Sequence, residues 1–267
     1  MAAQQGHLDV VRFLVEAGQA SVDQARTDDG TTPLYIACQK GHLEIARLLL
    51  EASAAVNQAM NDGTTPLYIA CQEGHLECAR LLLETGAAVD QALNNGATPL
   101  FMACQEGRVE CAQLLLEANA AVSQAKNSGA TPLLIAAQKG HHEIVTALIA
   151  ARATVDQADN DGWTPLLVSS KGGHADCVTL LLDKGVAVNR AKKDGWTPLH
   201  SCCHSHTAIS AGLAIVEQMV RKDGCNFEQR TVRGPGTHNA GWTALHMAAA
   251  YGVEPLVFQL LHVGASP

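Results

Sequence analysis

One short stretch holds the residue types best suited to metal chemistry. It runs from His200 to His206 and reads His-Ser-Cys-Cys-His-Ser-His, and Cys225 and His238 follow it. Thiolate and imidazole groups are ligands that Zn²⁺ prefers, and four of them could converge on one ion. The stretch contains no Cys-x-x-Cys pair, however, and small residues fill the positions that match its two cysteines elsewhere in the chain. We therefore predict buried thiols here, with no metal and no other cofactor.

Motifs for catalysis are missing from the sequence. It contains no Gly-x-Ser-x-Gly, no Gly-x-x-x-x-Gly-Lys-Ser/Thr and no His-Glu-x-x-His. A glycine-rich run at 234–241 does not follow an apolar strand, so it does not fit a dinucleotide-binding turn. We predict no catalytic residues and a chain that is not an enzyme.

Three tryptophans offer the chemistry of protein contact instead. Trp163, Trp196 and Trp242 each follow a glycine, and matching positions earlier in the chain hold Thr or Ala. Tryptophan is enriched among the residues that anchor protein interfaces. An alternative stays open, in which each indole only packs on its neighbouring turn.

The elements that carry these residues repeat along the chain. A Thr-Pro-Leu step recurs every 33 residues, with its proline at Pro33, Pro66, Pro99, Pro132, Pro165 and Pro198. A strict period of this size indicates a stacked array of repeats. Such an array has no single core, because each repeat packs only against its neighbours.

Each repeat is predicted to contain two short helices. Threonine is a good N-cap and proline is favoured at the first helical position, so Thr65-Pro66 begins the first helix. Gly74 ends that helix, and a second helix follows with an apolar stripe. The residues of this stripe are Leu76, Ala79, Leu82 and Leu83. Because helices this short are unstable alone, each pair must pack against the next.

These motifs resemble the ankyrin repeat. The matching segments are Gly-Trp-Thr-Pro-Leu at 162–166 and 195–199, Gly-His-Leu-Glu at 41–44 and 74–77, and Ala-Val-Asn or Ala-Val-Asp at 55–57 and 88–90. The resemblance implies an all-α solenoid of about eight stacked helix-turn-helix units with short hairpin connections. It departs from the family in one position, because the histidine of Thr-Pro-Leu-His is present only at His200, with a related Thr-Ala-Leu-His at His246.

The resemblance also implies a concave binding face, formed by the hairpins and the ends of the first helices. Its residues vary between repeats while the core positions stay apolar. At the helix ends they are Lys40, Glu73, Glu106, Lys139 and Lys171, and in the hairpins they are Asn61, Asn94, Asn127, Asn160 and Lys193. In the family the tryptophan position points toward the same groove. Neutral variation on an exposed surface is the alternative interpretation.

The repeats divide the chain into four segments. We predict a partial repeat at 1–29, five regular repeats at 30–194, an enlarged repeat at 195–240 and a partial repeat at 241–267. The first segment is two residues too long, with the extra residues near Gln19-Ala20 or Asp28-Asp29. The enlarged repeat has two insertions, near 204–212 and 231–238, which are either functional loops or tolerated length.

Charge and cysteine content limit the possible partners. Residues 1–150 hold 8 Lys and Arg against 16 Asp and Glu, whereas residues 151–267 hold 10 of each. An acidic half does not favour nucleic acid. It suits a basic peptide, although we favour the simpler interpretation of a solvated surface. There are nine cysteines, and those that share repeated core positions, such as Cys38, Cys71 and Cys104, indicate a reducing compartment; no signal peptide or membrane span is visible.

Together these features predict a monomeric cytoplasmic or nuclear scaffold that binds another protein or peptide, without nucleic acid and without membrane insertion. The alternative is an accessory ankyrin array of a larger multidomain protein, such as an enzyme, a channel or a ubiquitin-ligase adaptor.

Overall fold

Each Thr-Pro step begins a helix, as predicted. Pro66 is the first residue of its helix, and the hydroxyl of Thr65 accepts a hydrogen bond of 3.1 Å from the backbone N–H of Tyr68. Gly74 follows the last residue of the helix with a φ of 85°, in the left-handed region that favours glycine. The same threonine cap recurs at Thr32, Thr98, Thr131 and Thr164.

The computed structural model describes residues 1–18, 21–204, 209–222, 224–232 and 240–265, and within these ranges every regular element is a helix. Contacts divide the chain into two compact units, Met1–Asn127 and Ser128–Pro267. This division falls inside the stretch predicted as five regular repeats.

The first unit is built from four helix pairs. They are α1 (Ala2–Gln5) with α2 (Leu8–Glu16), α3 (Pro33–Lys40) with α4 (Leu43–Glu51), α5 (Pro66–Glu73) with α6 (Leu76–Glu84), and α7 (Pro99–Glu106) with α8 (Val109–Glu117). The first helices of the pairs pack in one row and the second helices pack in another. The first pair has only a stub of its first helix, as the sequence predicts.

The described part of the second unit follows the same plan. Its pairs are α9 (Pro132–Lys139) with α10 (His142–Ala150), α11 (Pro165–Gly172) with α12 (Ala175–Asp183), α13 (Pro198–His204) with α14 (Ile209–Val220), and α15 (Ala244–Ala250) with α16 (Glu254–His262). Its first helices pack in the order α9, α11, α13 and α15, and its second helices in the order α10, α12, α14 and α16.

The buried stripe of the second helices differs in part from the predicted one. Leu82 is fully buried as expected, but Leu83 is only half-buried. Cys78 and Leu81 are buried in its place, with 1% and 7% exposure. The reason is that the stack covers each second helix from the neighbouring repeat as well as from its own partner helix.

A ladder of side chains joins neighbouring repeats at the start of the second helices. The ring of His75 donates to the backbone oxygen of Gln39 at 3.1 Å. Arg108 takes the matching position one repeat later, and its Nε donates to Gln72 at 3.0 Å. Further steps of this ladder join His42 to Gln4 and His174 to Gln138.

The two extra residues of the first repeat are divided between two places. The turn from Arg26 to Gly30, closed by a hydrogen bond of 3.0 Å, is one residue longer than the matching turn from Met60 to Gly63. The second extra residue falls between residues 17 and 22, a stretch that lies partly outside the described residues. The sequence offered these places as alternatives, and each takes one residue.

The enlarged repeat accommodates its insertions in two ways. The backbone N–H of Thr231 donates to the backbone oxygen of Trp242 and closes the base of the hairpin. The matching bond of an earlier repeat joins Asp159 to Trp163. Seven more residues therefore lie between the bonded residues in the enlarged repeat. The other insertion lengthens α14, so Gly212, predicted in the connection, lies in a helix. The remainder of both insertions, at 205–208 and 233–239, lies outside the described residues.

Candidate functional site

The helix-end residues predicted to contact a partner lie at the surface. Lys40, Glu106 and Lys139 are exposed, and Glu73 is half-buried. Each is the last residue of its first helix. Lys171 is also exposed, but it precedes the last residue of α11 and so lies one position earlier than the others. In each unit we call the surface formed by these helix ends and the hairpin tips the hairpin face.

The hairpin asparagines hold neighbouring hairpins together. The backbone N–H of Asn94 donates to Asp62 at 3.1 Å, and its side-chain amide donates to the oxygen of Asn61 at 3.3 Å. Lys193 makes the matching side-chain bond with its ammonium group, to the oxygen of Asn160 at 3.2 Å. Side-chain bonds of the same type join Asn61 to Asp28 and Asn127 to Asn94. These predicted contact residues therefore have a structural role in the hairpins.

The three tryptophans are all half-buried, but their surroundings differ. The indole N–H of Trp196 donates to the hydroxyl of Ser201, which is fully buried, at 2.9 Å. This bond favours the packing interpretation for Trp196. The backbone oxygen of Trp242 accepts a hydrogen bond from His200 at 3.0 Å.

Trp163 has a different environment, because two lysines approach its ring. The ammonium nitrogens of Lys171 and Lys192 lie 4.8 Å and 4.1 Å from the ring centroid, within the range of a cation–π interaction. A cleft of about 510 Å³ opens beside the indole, and Leu134 and Val168, which are almost fully buried, line it. Lys171, Asp159 and Asp161 also line the cleft, so its apolar floor meets a rim with both signs of charge, which is suited to an amphipathic ligand.

Comparison with known families decides what this arrangement is. A model described as "Ankyrin repeats (3 copies)" matches residues 1–92, 85–159 and 151–231, and a model described as "Ankyrin repeat" matches residues 240–267. The chain belongs to the ankyrin repeat family. Ankyrin repeats are protein–protein interaction modules, and the fold is typically a binding scaffold without enzymatic activity.

Solved structures agree with this assignment. The crystal structure of the human ASB11 ankyrin repeat domain matches with a TM-score of 0.75 and 29% sequence identity, over 89% of this chain and 100% of that chain. A search of curated proteins gave no significant match. Because 606 chains of known structure match, the fold alone does not identify a partner.

The family histidine makes its hydrogen bonds where this ankyrin array retains it. His200 is 1% exposed, and its Nε2 donates to the backbone oxygen of Trp242 in the next repeat. Its Nδ1 accepts from the backbone N–H of Thr197. Burial lowers the pKa of His200, so the neutral ring is favoured. In earlier repeats this position holds buried apolar or aromatic residues such as Tyr68 and Leu134.

All nine cysteines of the array are free, and eight of them are buried. Burial raises the pKa of the less buried Cys225 to about 11, so its thiol stays protonated at neutral pH. Cys111 differs, because its hydrogen bond with Cys71 lowers its pKa, but 2% exposure prevents access to a substrate. Among the described residues no group of three or more His, Cys, Asp or Glu could hold a metal ion. His206 and His238 lie outside those residues.

Sequence reasoning missed two contacts between lysines and aromatic rings on the hairpin face. Lys192 contacts Trp163, and Lys126 lies 5.2 Å above the ring of Phe101. Both lysines occupy the same hairpin position, one repeat after the aromatic residue. Lys126 follows Phe101 by 25 residues, whereas Lys192 follows Trp163 by 29, so no single spacing in the sequence indicated both contacts. None of the described helices is both long enough and apolar enough to cross a bilayer.

Proposed function

We propose that this ankyrin array is a non-enzymatic scaffold that holds a partner protein on its hairpin face. The observation that carries the proposal is a contrast between positions of the same repeat. In helices α3, α5, α7 and α9 the second residue is leucine and at most 1% exposed. The last residue of the same helices changes charge between repeats and lies at the surface. A surface that diverges over a constant core suits recognition of one specific partner.

The hairpin face is tested by affinity capture and mass spectrometry with two matched variants. One replaces four helix-end residues with alanine, namely Lys40, Glu73, Glu106 and Lys139. The control replaces four exposed residues of the second helices with alanine, namely Arg47, Arg80, Gln113 and Thr146. A partner recovered with the wild type and the control, but lost with the helix-end variant, is expected. Equal recovery with both variants would place binding elsewhere.

A second proposal is that the array is an accessory module of a larger multidomain protein. It is supported by the matched human structure, whose title describes an ankyrin repeat domain. A longer gene product with a catalytic, membrane or adaptor segment beside this array would decide for it. In either case we propose a reducing compartment, the cytoplasm or nucleus, because all nine thiols are free. We also propose a monomer that does not bind nucleic acid.

A further inference from the structure

We propose that the cleft beside Trp163, together with the ends of α9 and α11, binds an acidic segment of a partner protein. Carboxylates of this segment pair with Lys171 and Lys139, and a neighbouring apolar side chain enters the cleft. The inference rests on the proposed function, since it gives the chemistry of a partner held on the hairpin face.

The first support is that three elements converge on one indole. Trp163 lies at the start of its repeat, Lys171 comes from the last turn of α11, and Lys192 comes from the following hairpin. Because both ammonium groups lie close to the ring, the indole is already supplied with cations. A ligand group placed beside the indole would therefore bind most favourably if it were an anion that pairs with these lysines.

The charges around the cleft show where that anion belongs. Lys192 already has a partner, Asp194 at 3.2 Å, and its side chain is only 17% exposed. The carboxylate of Asp159 accepts hydrogen bonds from the backbone N–H groups of Asp161 and Trp163, so it is already engaged within its own turn. Lys171 is exposed and has no carboxylate within 4.0 Å among the described residues. Asp161 would repel an anion placed on its own side of the cleft, so the favoured position lies at Lys171.

Lys139 supplies a second cation of the same kind. It is exposed at the end of α9, and no described carboxylate lies within 4.0 Å of it. The first unit differs, because α5 and α7 end in Glu73 and Glu106. Acidic residues at those helix ends would repel an acidic segment. The helix ends of α9 and α11 are therefore the better match for negative charge.

The geometry sets the spacing of the ligand. Neighbouring packed helices lie about 8–10 Å apart, and an extended chain advances about 3.3–3.6 Å per residue. Side chains alternate between the two faces of an extended chain, so carboxylates two positions apart lie on one face, about 7 Å apart, within reach of the long side chains of Lys139 and Lys171. The nearly buried side chains of Leu134 and Val168 give the cleft an apolar floor. An aliphatic or aromatic residue two positions beyond one of these acidic residues lies on the same face of the peptide and would fill the space above this floor.

The test is the selection of peptides from a display library of random 12-residue sequences on the wild-type protein. Selected peptides are labelled with fluorescein, and binding is measured by fluorescence anisotropy to the wild type, Lys171→Glu and Lys40→Glu. Lys40→Glu is the matched control, because it makes the same charge change at an exposed helix end of the first unit. Circular dichroism confirms that both variants remain folded.

We expect acidic peptides with two carboxylates two positions apart. Their affinity should fall at least tenfold with Lys171→Glu, stay unchanged with Lys40→Glu and weaken as salt is added. Replacing one peptide Glu by Lys should restore binding to Lys171→Glu. Selected peptides that are neutral or basic, or acidic ones that ignore Lys171→Glu, would overturn this inference while leaving a protein-binding scaffold intact. Loss of every selected peptide equally with both variants would also overturn it.

Discussion

At the scale of single residues, His200 is a buried titratable group with hydrogen bonds at both ring nitrogens. It is almost fully buried, and its two ring nitrogens have opposite roles. Nδ1 accepts from Thr197, and Nε2 donates to the oxygen of Trp242. Adding a proton would put a charge in this buried position. Burial therefore lowers the pKa of His200, although Asp194 and the bond to Trp242 act in the opposite direction.

A lowered pKa makes the stability of the protein depend on pH. The unfolded chain takes up a proton near the ordinary histidine pKa of 6.5, whereas the folded chain resists it. The contribution of His200 is therefore fully present above pH 6.5 and is lost as the pH falls below it. We expect His200→Gln, whose amide can replace the two bonds, to flatten the fall of unfolding free energy between pH 6.5 and 5. Urea denaturation at several pH values measures this.

Leu167→Ala is the control for this experiment. Leu167 is fully buried at the matching position of the preceding repeat, and it does not titrate. Its loss should lower the unfolding free energy by about 2–5 kcal/mol at every pH alike. A wild-type pH slope that survives in His200→Gln would show that other groups cause it.

Residue roles on the hairpin face could be predicted from the sequence only in part. Position within the repeat places Asn94 and Lys193 at the hairpin tips, but spacing alone does not show that their side chains bond to the preceding hairpin. The bond from Trp196 to Ser201 was equally hidden, since it depends on a serine at a position that holds apolar residues in most repeats. A partner contact and a contact between hairpins require the same exposed polar residue types, so the sequence cannot separate them.

At the scale of elements, the ends of the second helices show how the repeat tolerates imperfect residues. The residue that follows the C-cap has a positive φ in most repeats. It is glycine at Gly86 and Gly185, but it is arginine at Arg152, with a φ of 66°. A residue with a Cβ pays about 1–2 kcal/mol in this left-handed conformation.

We expect Arg152→Gly to raise the unfolding free energy by up to about 1 kcal/mol, since relief of this strain exceeds the entropy that glycine adds to the unfolded chain. Arg152 is exposed, so little packing is lost. Asn119→Gly is the matched control at the same position of an earlier repeat, where φ is 61°. Asparagine tolerates the left-handed region better than arginine does, so Asn119→Gly should raise the unfolding free energy by less. Chemical denaturation measures both, and a larger gain at Asn119 would contradict the explanation.

Helix starts were predicted better than insertions for a physical reason. A threonine cap and a proline act within one turn, so Thr65-Pro66 fixes the helix start without help from the rest of the fold. Insertions have no such local signal. Gly212 was predicted in a connection because it lies among extra residues, yet the helix continues through it since the neighbouring residues still pack in the row of second helices.

At the scale of the whole molecule, exposed apolar surface determines how the array behaves at high concentration. Phe258 is 70% exposed in the last described helix. Every matching position in the earlier repeats is polar and exposed, and these residues are Arg12, Arg47, Arg80, Gln113, Thr146, Thr179 and Glu217. A phenylalanine at this position adds apolar surface that no part of the described fold requires.

We expect Phe258→Arg to raise the ammonium sulfate concentration at which half of the protein precipitates, because less apolar surface remains to be buried between molecules. The unfolding free energy should change by less than about 0.5 kcal/mol, since the position is exposed and accepts arginine in other repeats. The substitution also makes the net charge of −8 one unit less negative, which by itself would favour precipitation. Gln113→Arg makes the same charge change at the same position of another repeat and is therefore the matched control. Equal shifts in the two variants would assign the effect to charge, and a loss of stability in Phe258→Arg alone would mean that the ring packs in the folded protein.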